Sequence, residues 1–226
     1  MTTLRIVPAG DAAMLIELPA RIDPATNARV VALARALSDR YASLLRDVVV
    51  GYCSVTLYFD PLLVEHAWLE AQVRHVDETL PGSVPAEGRL VHIPVCYGGE
   101  CGPDLADVAA SVRLSEAEVV AMHASVTYRV YMMGFVPAFA YMASVHPRLS
   151  LPRRSTPRDR VPAGSVAIAA GQTAVYPIDT PGGWHLIGRT SISIYEPALA
   201  DPFLLHPGDH VRFHAVDRAA FDPEPR

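Results

Sequence analysis

The sequence predicts an α+β N-terminal domain followed by a mainly-β domain. Three observations carry this. Over residues 4–79, two pairs of β-type runs are each followed by a helical pattern, the order of a small layer of helices over a sheet. Residues 80–88 (LPGSVPAEG) then have the Pro, Gly and Ser content of a linker, which divides the chain into 1–84 and 88–226. Beyond the linker, helical signals fade after two short helices. Short β-type runs separated by Pro and Gly turns take over, as in a closed barrel or a sandwich.

In chain order, residues 4–8 (LRIVP) and 13–18 (AMLIEL) read as two strands around a Gly10-Asp11 turn. Asp23-Pro24 opens a helix, with Asp as N-cap and Pro at the first helical position. Val30, Val31, Leu33, Ala34 and Leu37 form its buried stripe. Residues 48–52 and 54–59 are β-type, and a further helix is expected over 62–79 with Leu63, Trp68, Val73 and Val76 in the core. The second half opens with a strand over 89–95 and a Gly-rich loop, CYGGECGPD. Asp104 is read as the cap of a short helix (LADVAASV), and Ser115 with Glu118 as a capping box for another. The strands expected after that are TYRVYMM, SVAIAA, TAVYP, WHLIG, SISIY and HVRFHAV. The FDPEPR tail is expected to fray.

Composition excludes several classes. Half of the 226 residues are hydrophobic and 19% are charged, enough for a proper core. The formal net charge of −5 argues against nucleic-acid binding by bulk electrostatics. No apolar run approaches the roughly 20 residues that cross a bilayer, so no membrane association is expected. The N-terminus lacks a basic leader followed by an apolar segment, so no signal peptide is expected. Cys53, Cys96 and Cys101 are odd in number and read as reduced thiols, which makes the cytoplasm the expected compartment. Cys96 and Cys101 with His92 do not make a metal site, since structural zinc takes four ligands and no second pair exists.

The stretch from Tyr128 to Arg189 is the expected working end. Its glycines and prolines fix tight turns between short strands, and it carries few acids. Arg153, Arg154, Arg158 and Arg160 stand in a Pro-stiffened loop opposed only by Asp159. Guanidinium forks of this kind bind carboxylate or phosphate, or else pair with acids elsewhere in the fold. Gly164-Ser165 precedes a strand and Gly171-Gln172-Thr173 follows it, as in a ligand-approaching turn or a plain hairpin. His123 is a candidate acid or base, or a structural helix histidine. There is no Walker A loop, no GxGxxG and no readable catalytic triad.

HASVTYRVYMMGFVPAFAYM, RRSTPRDRVPAGSVAIAAGQTAVYP and TPGGWHLIGRT resemble the signature of the 5-oxoprolinase B-subunit family, and IPVCYGGECGPDL, GDAAMLIEL and SVTLYFDP fit it as well. That family includes Kip-type inhibitors of a sporulation histidine kinase and is related to part of the carboxyltransferase region of urea carboxylase. The resemblance implies that the second domain is a cyclophilin-like barrel. It implies a subunit that works with C and A subunits and ATP to open the lactam 5-oxoproline to glutamate. It implies catalytic roles for His123, Arg154, Arg158 and Gln172, and substrate binding by Tyr141, Ser165, Gly171, Tyr176 and Arg189. The alternatives are a kinase-binding regulator, which needs an exposed apolar patch, and a carboxyltransferase piece of a urea- or amide-carboxylating system. Ala138, Ala170 and Ala174 stand where the family pattern has glycine. If those positions have φ > 0, alanine strains the loop by roughly 1 kcal/mol or more.

Overall fold

The computed structural model describes residues 4–20, 22–81 and 88–221. Contacts divide the chain into two compact units, Met1–Glu87 and Gly88–Arg226. Most of the expected linker, residues 82–87, and the tail beyond Phe221 lie outside the described residues.

In the first unit, β1 (Arg5–Pro8) and β2 (Ala13–Glu17) form the expected antiparallel hairpin. Helix α1 (Pro24–Tyr41) starts as the sequence requires: Asp23 accepts hydrogen bonds from the Thr26 N–H at 2.9 Å and the Thr26 hydroxyl at 2.6 Å. β3 (Leu45–Val50) and β4 (Ser54–Phe59) complete a four-stranded antiparallel sheet in the order β1-β2-β4-β3. Helix α2 spans His66–Thr79 rather than 62–79. Residues 60–64 form a turn instead, in which the Asp60 side chain accepts from the Leu62 N–H and its carbonyl from Leu63 and Val64. Leu63 is therefore 74% exposed, and Trp68, 41% exposed, packs edge-on against Tyr41 at 5.7 Å. Leu69, Val73 and Val76 take the buried positions and meet Leu33 and Leu37 of α1. Each such aliphatic side chain contributes about 1.5–3 kcal/mol by burial.

In the second unit, β5 (Leu90–Tyr97) leads through the Gly-rich loop to α3 (Leu105–Val112) and α4 (Glu116–Ser125). The Ser115–Glu118 capping box is present on α4. The strands that follow are β6 (Thr127–Met133), β7 (Ala140–Ala143), β8 (Arg158–Val161), β9 (Ser165–Ala169), β10 (Gln172–Val175), β11 (Thr180–Gly182), β12 (His185–Arg189) and β13 (His210–Ala215), before a last turn of helix, α5 (Arg218–Phe221). Seven of the second unit's strands close a barrel in the order β10-β7-β6-β13-β5-β12-β9, while β8 and β11 pair with each other. Among the described residues, only β13 with β5 is parallel within the barrel.

Two expectations change here. SISIY is not a strand, because the seven-stranded barrel is already closed and offers it no edge. Ile194 is buried and Ile192 half-buried against the barrel core, so the run anchors a loop. The Pro/Arg loop contains a strand, β8, that local pattern does not reveal.

β9 explains where the site lies. Val166 and Ile168 join the barrel core, while Ala167 and Ala169 belong to a separate cluster with Phe139, Tyr176 and Trp184. Alternation along a strand puts these two sets on opposite faces, so β9 is buried on both. Small alanines on the second face let large aromatic rings lie close to the wall.

Candidate functional site

Against that wall lies a cavity of about 200 Å³. Phe139 stands at its centre, with edge-to-face contacts to Tyr141, Tyr176 and Trp184 at 4.9, 5.2 and 5.7 Å. Arg153, Phe135 and Pro157 complete much of the lining, together with the 181–183 turn. A Cβ at Gly182 would come within 2.4 Å of the Tyr176 hydroxyl, so only glycine lets this turn approach the ring. Burial raises the pKa of both Tyr141 and Tyr176, keeping them protonated as hydroxyl donors at neutral pH.

The arginines divide into distinct tasks. Arg158 donates two hydrogen bonds to the carboxylate of Asp104, at 2.7 and 2.9 Å, and Arg154 donates a third at 2.9 Å. The Leu186 N–H adds a fourth at 2.7 Å. Burial by itself would raise the Asp104 carboxyl, but the bonds from Arg158 and Leu186 and the charges of both arginines outweigh it and hold the pKa below the ordinary value. Asp104 occupies the N-cap position of α3 as expected, and its carbonyl accepts from the Val108 N–H at 2.9 Å, but its side chain makes no capping bond and is given to the arginines instead. Gly102 makes this possible: a Cβ there would lie 2.1 Å from the Ile187 carbonyl oxygen, so the loop can lie directly on β12. Arg160 pairs with Asp179. Arg153, by contrast, has no acidic partner among the described residues and faces the aromatic cavity.

The other expected site residues lie elsewhere. His123 is fully buried, with Tyr97 Oη 2.8 Å from Nδ1, Thr173 Oγ1 2.9 Å from Nε2 and Phe213 stacked at 4.8 Å. Burial lowers its pKa to about 3. It is a neutral core residue with both nitrogens engaged, and it lines no described cavity. Gly171 (φ +78°) forms the β9–β10 hairpin turn with Ala170, and Gln172 opens β10 opposite Ala143; neither lines the aromatic cavity. Ser165 is buried at the start of β9. Arg189 lines a second cavity. Of the nine residues expected, the structure brings Tyr141 and Tyr176 into the aromatic cavity and sets Arg154 and Arg158 on the clamp beside it. Phe139, Trp184 and Asp104 are not among the nine, and Arg153 is expected only as part of the arginine run. In the sequence Asp104 stands out only as a helix cap at the end of a Gly-rich loop, which does not point to an arginine clamp.

Residues 4–205 match the family described as carboxyltransferase domain, subdomain C and D. The 5-oxoprolinase B subunit of Escherichia coli O157:H7 is 43% identical over 205 residues, covering 90% of this chain and 92% of that protein. The protein of the same name from Bacillus subtilis strain 168 is 40% identical, covering 90% and 89%. This chain belongs to the 5-oxoprolinase B-subunit family. Among solved structures, the protein TTHA0988 superposes with TM-score 0.83 at 38% identity; the match covers 99% of this chain but only 42% of that longer one. The urea amidolyase of Kluyveromyces lactis, at 17% identity and TM-score 0.76, shows the shared fold over 97% of this chain and 15% of its own.

In this member of the 5-oxoprolinase B-subunit family, the backbone separates the three alanines that stand where the resemblance led glycine to be expected. Ala138 (φ +66°) and Ala170 (φ +49°) occupy the left-handed region, where a side chain is strained. Ala174 does not: it lies within β10, and its methyl packs in the aromatic cluster behind the cavity.

Proposed function

We propose that this chain is the B subunit of an ATP-dependent 5-oxoprolinase, working with C-type and A-type subunits in the cytoplasm to open 5-oxoproline to glutamate. The observation that carries the reading is the 37–43% identity to three proteins named as 5-oxoprolinase B subunits, across about nine-tenths of their lengths and of this chain. The same reading makes the barrel cyclophilin-like. The cavity suits the substrate class. Its aromatic walls match the faces of a five-membered lactam, and Arg153, with no acid beside it among the described residues, suits the ring's carboxylate. Tyrosine hydroxyls can donate to a lactam oxygen as charge develops on it. Arg154 and Arg158, held on Asp104, stiffen the loop that carries Arg153 rather than reacting themselves.

The test is ATP hydrolysis dependent on 5-oxoproline, using this chain co-purified with its C- and A-type partners. Loss of a charge-assisted hydrogen bond is worth about 1.5–3 kcal/mol, so Arg153→Ala is expected to lower kcat/KM for 5-oxoproline by about 10–100-fold with the assembly intact. A well-formed wild-type complex without 5-oxoproline-dependent turnover would sink the assignment. Wild-type kinetics in Arg153→Ala would remove the aromatic cavity from it.

A further inference from the structure

The second cavity is larger, about 400 Å³, and opens where the turn before β9 meets the end of β12 and the loop that follows it. It shares no lining residue with the aromatic cavity, although the consecutive residues Tyr176 and Pro177 line one and the other. Two arginines, Arg189 and Arg218, line it, and no acidic residue among the described ones does. In a chain of net charge −5 that wall carries two cations. Asp179 stands behind it, accepting from the Ala163 N–H and acting on Arg189, but it is itself paired with Arg160, so the wall keeps a positive balance that a concave surface focuses on incoming anions. Arg189 donates Nε–H to the Ala163 carbonyl at 2.9 Å, which sets the plane of its fork. Its two terminal nitrogens have no hydrogen-bond partner among the described residues. Arg218 is engaged weakly, by Glu100 at 2.9 Å and the Cys101 sulfur at 3.2 Å. Glu100 is 86% exposed, and such an ion pair contributes little and yields readily to a stronger anion. The hydroxyls of Ser191 and Ser193 lie in the same lining.

The rest of the lining is largely apolar: Pro177, Ile192, Ile194 and Phe221. A bare phosphate or carboxylate would use the arginines and leave those walls wet. A ligand with a polyphosphate tail and a flat heterocycle would use both. The geometry points to this cavity as a nucleoside polyphosphate site, with Arg189 holding phosphate oxygens bidentately, Arg218 adding a second charge, and the apolar residues covering the base. That the nucleotide is ATP rests on the function proposed above.

The experiment is calorimetric titration of MgATP, and separately of magnesium tripolyphosphate, into the wild-type chain alone and in complex with its C-type partner. Arg189→Gln keeps a donor for the Ala163 carbonyl, Arg218→Gln tests the other cation, and Arg5→Gln changes an exposed arginine of the first unit, paired with Glu17 and lining neither cavity. Saturable ATP binding is expected, at least tenfold weaker in Arg189→Gln, weaker in Arg218→Gln and unchanged in Arg5→Gln. Tripolyphosphate is expected to bind less tightly than ATP because it misses the apolar walls. Equal ATP affinity in wild type and Arg189→Gln, or no ATP binding by wild type in either form, overturns the site. Tripolyphosphate binding as tightly as ATP overturns the nucleoside assignment. Neither measurement involves 5-oxoproline: ATP binding at this site without lactam turnover removes the substrate reading alone, and turnover with Arg189 irrelevant to ATP removes the site alone.

Discussion

Tyr97, His123 and Thr173 form a line of hydrogen bonds whose direction is decided at its far end. The Thr173 hydroxyl has one hydrogen and donates it to the Ala167 carbonyl at 3.0 Å, so it accepts from His123 Nε2–H. Nδ1 then accepts from the Tyr97 hydroxyl, and the ring is held neutral. With its pKa near 3 when folded and near 6.5 when not, the unfolded chain binds the proton first as pH falls. Stability from this group is complete above about pH 6.5 and declines down to about pH 3, by on the order of 1 kcal/mol per pH unit. Urea midpoints between pH 7.5 and 4.5 are expected to fall more steeply in wild type than in His123→Gln; parallel slopes would contradict the buried neutral ring. Asp104 is a second residue whose burial sets its role. Replacing it with asparagine leaves two half-buried guanidinium groups without their counter-charge. A loss of about 2–4 kcal/mol is expected, discounted for the partial exposure of both arginines, and urea unfolding of Asp104→Asn would measure it.

Among the elements, the turns carry the unusual chemistry. The β9–β10 hairpin has two central residues, Ala170 and Gly171, both with positive φ, the conformation whose twist matches the flanking strands. Alanine is the poorer choice for the first. Ala170→Gly relieves left-handed strain but adds freedom to the unfolded chain, leaving a net gain of about 0.5–1 kcal/mol. A rise in melting temperature of a few degrees is expected, and a fall would show that the methyl contributes packing that outweighs the strain. The start of α2 teaches a related point. The pattern over 62–79 is helical by periodicity, yet Asp60 captures the backbone of residues 62–64 in a turn and delays the helix to His66. Periodicity reports which face is apolar; the turn decides where the face begins.

At the scale of the whole molecule, each unit has a hydrophobic core of its own. The barrel closes through β9 and β10, so its strands are paired on both sides, and a fragment of residues 88–226 is expected to unfold in one cooperative thermal transition followed by circular dichroism. A broad, non-cooperative melt would show that the barrel depends on the first 87 residues. The residues by themselves determined the order of elements, the caps at Asp23 and Ser115, the hairpin at Gly10 and the family, because each depends on neighbours a few positions apart or on long contiguous motifs. Only the tertiary structure decided which arginine faces the cavity without an acid beside it. Arg153, Arg154, Arg158 and Arg160 look alike along the chain, and Asp104, some fifty residues earlier, is what removes two of them from solvent-facing duty. It likewise decided that His123 is core and that Arg189 belongs to a different cavity from Tyr141. Those outcomes depend on which strands the closing barrel sets side by side, and pairing between distant segments leaves no periodicity to read.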